Sequence, residues 1–398
     1  MRVDLEDLAF DRGGSLLVKR ALRLVREGQA VTVTGAASDL AVHLRAWCRS
    51  EGHEFHCSGS SEKGCAVVVK GRASDQRWSG AERAGQADAL MPGAVCDHPP
   101  PRWGLAARSA LVESGSPEFH FTLAEKAEVW SQDAVRIYAQ AAAAQWDPAT
   151  AIPWEAKFDL PDEIEDAVVQ IMTYLIENET AALIVPSRFI AQLHPHFREV
   201  MQVLAIQAAD EARHVEVFTR RALLKRSELG LSTAGGQASL KTLVDEPDFA
   251  TASFLLSVLG EGTFLSLLWF LEHFAPDPVT AAVCKLAARD EARHVAFGMA
   301  HLREHMTAEP ALRESLINAV RRRHEALRQT AGLNAEVFDG LVLMAAGSWE
   351  VRDLARGHAK VLALIEEMHM SRRRRLIQLG FTDRDAEEIS SLHTRNFM

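Results

Sequence analysis

A six-residue run returns almost unchanged in this chain. Ala209-Asp210-Glu211-Ala212-Arg213-His214 recurs as Arg289-Asp290-Glu291-Ala292-Arg293-His294. Each copy is a Glu-x-x-His inside a long segment of helical apolar period. Residues three apart share one face of a helix, so each copy aims a carboxylate and an imidazole at the same point. Two copies on facing helices supply two of each. That is half of the ligand set of a carboxylate-bridged two-metal site inside a four-helix bundle. The other half is one Glu from each of two further helices, to be sought upstream of each copy.

Ahead of the second copy, Glu261 is the only charged residue between Asp248 and Glu272. Its helical neighbours are Phe254, Ser257, Val258, Phe264, Leu265 and Leu268, so it lies in an apolar stripe. A carboxylate there is costly to bury unless paired or metal-bound. The segment is apolar enough to raise the question of a membrane span; the central Glu and its flanking glycines favour a buried core helix. Ahead of the first copy two residues compete. Glu179 shares a face with Val168, Met172, Leu175, Ala182 and Leu183, whereas Glu177 shares one with Asp166, Gln170 and Thr173, the wetter side. The pattern favours Glu179. Glu179 precedes Glu211 by 32 residues and Glu261 precedes Glu291 by 30. Either interval holds the rest of one helix, a reversal and part of the antiparallel partner. The two halves form an internal repeat with a period near 80 residues.

Length and charge bound the rest. The 398 residues allow two or three domains and a large core, and a net charge of -10 argues against nucleic acid as a partner. Two basic runs, Arg321-Arg322-Arg323 and Arg372-Arg373-Arg374-Arg375, read as solvated helix faces or helix C-termini, where cations are favoured. The five cysteines (Cys48, Cys57, Cys65, Cys96, Cys284) form no Cys-x-x-Cys pair. With no signal-peptide pattern, a reducing cytoplasm is the expected compartment. There is no four-Cys knuckle, Fe–S spacing or Gly-rich nucleotide fingerprint. Electrons for redox chemistry would therefore come from another protein.

Residues 1–72 differ in style from the rest. Ala30 to Thr34 and Ala66 to Lys70 read as strands, with amphipathic helices near 15–27 and 38–51. The order β-α-β-α-β-β suits a small two-layer sandwich. The run from Asp11 to Gly28, the strand after it and Trp47-Cys48-Arg49-Ser50-Glu51-Gly52-His53-Glu54-Phe55 resemble the TusA-like sulfur-carrier family. That family carries sulfur on a Cys at the first helix N-terminus, where Asp11-Arg12-Gly13-Gly14 stands here, so the active Cys is absent. The resemblance implies a docking or dimerisation module, with Cys48 a core residue. Residues 73–116, rich in Gly, Ala, Arg and Pro, read as a linker. From 117 to 398 the chain reads as helices. One is expected at 122–145 and four ligand helices at 161–185, 196–227, 247–274 and 277–306, with Pro186 and Pro195 bracketing the first reversal. Later helices are expected at 310–330, 334–346 and 348–379, and a short one after Thr382, an N-cap.

Two Glu-x-x-His helices with two single-Glu helices resemble the ferritin-like di-iron carboxylate superfamily over about residues 118–308. The expected fold is thus mainly α: a ferritin-like four-helix bundle with extra C-terminal helices, preceded by the small α+β sandwich. The resemblance implies two iron ions, or manganese, since hard carboxylates and imidazoles suit either. Glu211 and Glu291 would bridge them, Glu179 and Glu261 would be terminal ligands, and His214 and His294 would serve one ion each. Asp210 would orient His294 and Asp290 would orient His214 from the opposite helix, with Arg213 and Arg293 offsetting the acidic charge.

The implied activity is O2-dependent oxidation of a small organic metabolite, with carrier-bound and sulfur-containing ones included, fed by a ferredoxin or reductase in a cytoplasmic homodimer without membrane or nucleic-acid partners. A ribonucleotide reductase subunit would need a radical Tyr where Phe218 stands, and ferritin-like storage works with a much shorter chain. Acyl desaturases of the superfamily share the Arg between Glu and His. Arylamine N-oxygenases carry an extra His where this chain has Ala287. A metal-bound scaffold without catalysis is the non-enzymatic alternative.

Overall fold

The computed structural model describes residues 1–57, 64–72, 78–328 and 335–392. They form two compact units, the first drawn from residues 1–84 and 107–118, the second from residues 85–106 and the described residues after 118.

The first unit is the expected two-layer sandwich. Its sheet runs β1 (Arg2–Asp4), β2 (Ala30–Gly35), β4 (Gly64–Val69) and β3 (Glu54–Cys57) in that spatial order. β1 is parallel to β2, and the other pairs are antiparallel. Strand period sets the inner face: Val31 and Val33 are buried while Thr32 and Thr34 are not. Helices α1 (Gly14–Arg23) and α2 (Leu40–Glu51) close that face with Val18, Leu22, Leu40, Leu44 and Cys48. Cys48 is a core residue, and burial pushes its thiol up to about 11.

The segment expected to be a linker is packed in both units. A short antiparallel pair, β5 (Glu82–Arg83) with β6 (Leu111–Val112), belongs to the first. Between them, residues 85–106 join the second, where Ala94, Val95 and Trp103 are buried. Trp103 packs on His196, ring centroids 5.1 Å apart. Single apolar anchors hold this stretch without the periodicity that sequence reading depends on.

The second unit is helical throughout. The helix expected at 122–145 is two, α3 (Lys126–Val129) and α4 (Ala134–Ala143). Ser131 and the Gln132 amide break it by donating to Glu304, at 3.0 and 2.9 Å. The bundle follows. It consists of α5 (Asp162–Ile190), α6 (Arg198–Ala222), a third rod and α10 (Pro278–Ala308). The third rod is α8 (Phe249–Ser253), a π-helical turn (Phe254–Glu261) and α9 (Gly262–Phe274). α5 packs along α6, the third rod along α10, and α10 on α6. Pro186 lies within α5 rather than at its end; Val185, Pro186 and Phe189 are buried, and this packing carries the helix one turn further. α7 (Ala234–Val244) was not expected, because its paired glycines mask it. Thr233 caps it by accepting from Gly236 N at 3.0 Å.

Helices α11 (Leu312–Leu327), α12 (Ala335–Ala346), α13 (Val351–Gln378) and α14 (Asp383–Leu392) complete the unit. Thr382 caps α14 as expected, accepting from Asp385 N at 3.1 Å. The basic runs are not wholly solvated. Helical period turns Arg323, Arg372 and Arg375 inward while Arg321, Arg322 and Arg374 stay exposed. Two stretches, Asp162–Ile190 and Phe249–Phe274, are long and apolar enough to cross a bilayer by composition, and most of that apolar surface is buried inside this unit. Arg221 ties three helices together. Fully buried, it meets Glu165 through two hydrogen bonds (2.6 and 3.1 Å), Asp277 at 2.8 Å and Thr280 at 2.7 Å.

Candidate metal centre

The four rods bring six side chains to one buried place. Ligand atoms of Glu179, Glu211, His214 and Glu291 lie within 4.8 Å of one another, and so do those of Glu211, Glu261, Glu291 and His294. The two sets share Glu211 and Glu291, the two motif carboxylates. No member is more than 5 % exposed. Glu179 is the carboxylate that α5 contributes, whereas Glu177 is half-buried and outside the cluster.

Each imidazole turns one nitrogen inward and the other to the opposite motif. His214 Nδ1 lies 3.2 Å from Glu211, 3.3 Å from Glu291 and 3.5 Å from Glu179. Its Nε2 is 3.2 Å from Asp290. His294 Nδ1 lies 3.0 Å from Glu211 and 3.4 Å from Glu291, and its Nε2 is 3.2 Å from Asp210. A carboxylate acceptor at Nε2 holds the proton there and leaves Nδ1 as the lone-pair nitrogen for a cation.

A polar layer backs these contacts. Arg213 reaches both Asp210 and Asp290, the latter at 2.8 Å, and Arg293 likewise pairs with both. Two residues just past the end of α4 join in. Gln145 donates to Asp210 at 2.8 Å, and Trp146 Nε1 donates to Asp290 at 2.8 Å. Gln207 donates to Glu261 at 2.8 Å. Sequence reading missed Gln207, although it stands four residues before Glu211 and hence on the same face.

The third rod reaches the site through its π turn. The wider turn replaces the regular helix expected there and ends at Glu261. Arg375 from α13 donates to the Val258 carbonyl within it, at 3.0 Å. Gly298 of α10 allows the close approach: a Cβ there would sit 2.5 Å from the Ser257 Cβ. π turns recur where a helix must re-aim a side chain at a functional site.

Electrostatics of the cluster are polarised. Burial, then the charges of Glu211 and Glu291, push the Glu179 carboxyl well above its usual range. Burial and Glu291 do the same to Glu261. Burial alone would raise Glu211, but the His294 charge and the hydrogen bond with His214 outweigh it and hold the carboxyl low. Both imidazoles rise: burial opposes their charge, while hydrogen bonds to Asp290 for His214 and the Glu211 charge for His294 override it.

The donor set fits a hard metal cation. Among the described residues, buried oxygens of Glu179, Glu211, Glu261 and Glu291, and Nδ1 of His294, have no hydrogen-bond partner. Such orphaned groups are costly unless something binds them. Carboxylates and imidazole are donors for iron or manganese, and a carboxylate belonging to two ligand sets is what bridging requires.

Fold and site together define a class: a four-helix bundle with two adjoining, buried carboxylate–imidazole sets, each able to hold a metal ion. No family model matches the chain, and no curated protein does. Among solved structures it is similar to an R2-like ligand-binding oxidase from Sulfolobus acidocaldarius. That match has 17% identity and a TM-score of 0.44, and covers 64% of this chain and 93% of that one. A second, a protein with aldehyde deformylating oxidase activity from Synechococcus, matches at 16% identity and TM-score 0.40, over 57% of this chain and 96% of that one. A third, an R2-like ligand-binding oxidase with an aerobically reconstituted metal cofactor, matches at 16% identity and TM-score 0.44, over 64% and 92%.

Proposed function

We propose that this protein is an O2-dependent di-iron oxygenase acting on a small organic metabolite. The observation that carries this reading is the pair of ligand sets sharing Glu211 and Glu291, with unsatisfied carboxylate oxygens, beside an apolar cavity. Glu179, Glu211 and His214 with Glu291 would hold one iron, and Glu261, Glu291 and His294 with Glu211 the other; manganese is the alternative that the same donors accept. Two irons bound there supply the electrons and Lewis acidity for activating O2.

The chain's own residues set the conditions. Asp210 and Asp290 keep the imidazoles in one tautomer and orientation. Gln207 steadies Glu261. The leucines of the cavity wall exclude water from the reacting face. Electrons come from a separate ferredoxin or reductase in the cytoplasm. The N-terminal unit is read as a sulfur-carrier-like docking or dimerisation module within a homodimer; its buried Cys48 suits packing rather than sulfur transfer.

The test is iron content and O2 consumption of the full-length protein. We expect about two irons per chain and a near-ultraviolet charge-transfer band after oxidation. Glu261→Ala is expected to lower bound iron and abolish O2 consumption. Wild-type turnover by that variant would remove the centre from the mechanism.

A further inference from the structure

A slender cavity leads away from the carboxylates. It borders Glu179, Glu261 and Glu291 and is narrow, with only about 20 Å³ open to a water-sized sphere. Its walls are mainly apolar: Leu240 and Leu243 of α7, Leu255 and Leu256 of the π turn, and Phe264 of α9. Besides the carboxylates, Asn178 and one cation break this pattern. Arg323 of α11 lines the same cavity at 9 % exposure.

Buried guanidinium groups are ordinarily paired with an acid, as Arg221 is here. Arg323 forms no ion pair among the described residues. Its Nε donates to Thr242 at 2.8 Å and its Nη2 to Ser239 Oγ at 3.0 Å. Those bonds orient the fork and leave its charge uncompensated. Nη1 makes no hydrogen bond to the described protein. Burial pushes the guanidinium down to about 10, so it is still a cation at neutral pH. Two further groups near it are unsatisfied. The buried Tyr174 hydroxyl and Asn178 Oδ1 have no hydrogen-bond partner among the described residues, and Asn178 lines the cavity. Arg372 and Arg375 also form no ion pair among the described residues, but they donate to Ser390 and to the Val258 carbonyl.

We propose that Arg323 anchors a carboxylate of the substrate, which makes the substrate class a carboxylic acid with a slender apolar body. The acid group sits at the Arg323 fork, the form of recognition for which a guanidinium is shaped. The carbon skeleton lies along the leucine wall toward Glu179 and Glu261. Asn178 Oδ1 is free to accept from a hydroxyl or N–H on the ligand. Arg323 thereby sets specificity, and the metal ligands do the chemistry. This inference rests on the oxygenase reading of the carboxylate cluster.

The test uses the iron-loaded, full-length protein and two matched probe pairs: hexanoate with hexanamide, and phenylacetate with phenylacetamide. Binding is read by calorimetry, with iron content measured on each sample. The acids are expected to bind and the amides to bind at least about 30-fold more weakly, the loss typical of an unpaired buried charge. Arg323→Gln is expected to remove that preference with iron content unchanged, and Arg323→Lys to restore part of it. Equal binding of acid and amide, no binding of either, or acid binding that survives Arg323→Gln overturns the proposal; the last result means that the acid is held at the metals. If Arg323→Gln does not fold, the acid–amide comparison in the wild type decides. Acid-selective, Arg323-dependent binding by protein that takes up no iron would sustain the anchor and remove the oxygenase reading.

Discussion

Nε2 of His214 lies 3.2 Å from Oδ2 of Asp290, a carboxylate supplied by the other motif helix, and His294 makes the reciprocal contact with Asp210 at the same distance. Each motif therefore completes its partner. Asp290→Asn keeps the shape and removes the charge that fixes the imidazole proton. Metal affinity is expected to fall roughly 10–100-fold, the usual effect of losing such a partner. Competition with a chelator of known affinity measures it, and an unchanged constant would show that the contact is dispensable.

Gly298 faces Ser257 where α10 crosses the π turn, leaving a gap that a methyl group overfills. Gly298→Ala gains helix propensity of about 1 kcal/mol, yet the clash is expected to prevail and leave a net loss of about 1–3 kcal/mol. Urea unfolding of the metal-free protein reads this directly. Ser257→Gly in the same chain should recover part of the loss; additive losses would place the strain elsewhere.

Arg221 holds Glu165 and Asp277 in the dry interior between three helices. Arg221→Met leaves two buried carboxylates without their cation. The expected destabilisation is about 3–5 kcal/mol. A loss below roughly 1 kcal/mol, the range of exposed pairs, would mean that water enters the site.

His301 donates from Nε2 to the Glu128 carbonyl at 2.7 Å, and burial pushes its pKa down to about 4. The unfolded chain protonates near the ordinary 6.5, so between these values only the unfolded state takes up the proton. Stability contributed by the neutral ring is full above about 6.5 and is lost as pH falls toward 4. The span corresponds to roughly 3 kcal/mol. His301→Gln keeps a donor for the carbonyl and should flatten this part of the stability–pH curve. Denaturant titrations of both proteins between pH 8 and 5 make the comparison; parallel curves would reject it.

Much of the site is legible in the sequence. Two Glu-x-x-His copies, an apolar-face Glu ahead of each and the Asp beside each motif Glu are local patterns, and helical period alone puts each set of side chains on one face. Glu261 declared itself by being a lone charge in an apolar run. The sandwich order of the first unit followed from strand and helix periods in the same way.

Other features depended on which surfaces meet. The packed stretch 85–106 has anchors without a period. Gln207 is an ordinary helical glutamine until the third rod brings Glu261 to it, and the π turn aiming that carboxylate is recorded in contacts with Gly298 and Arg375, far away in the chain. Arg323 sits in what reads as a solvated basic run, and only the docking of α7 over α11 buries it. Sequence determined which side chains share a helix face, because that is a property of one rod and its pitch. Tertiary structure decided which faces enclose the cluster and which lone cation looks into the cavity, because desolvation is imposed by neighbours that the local pattern does not contain.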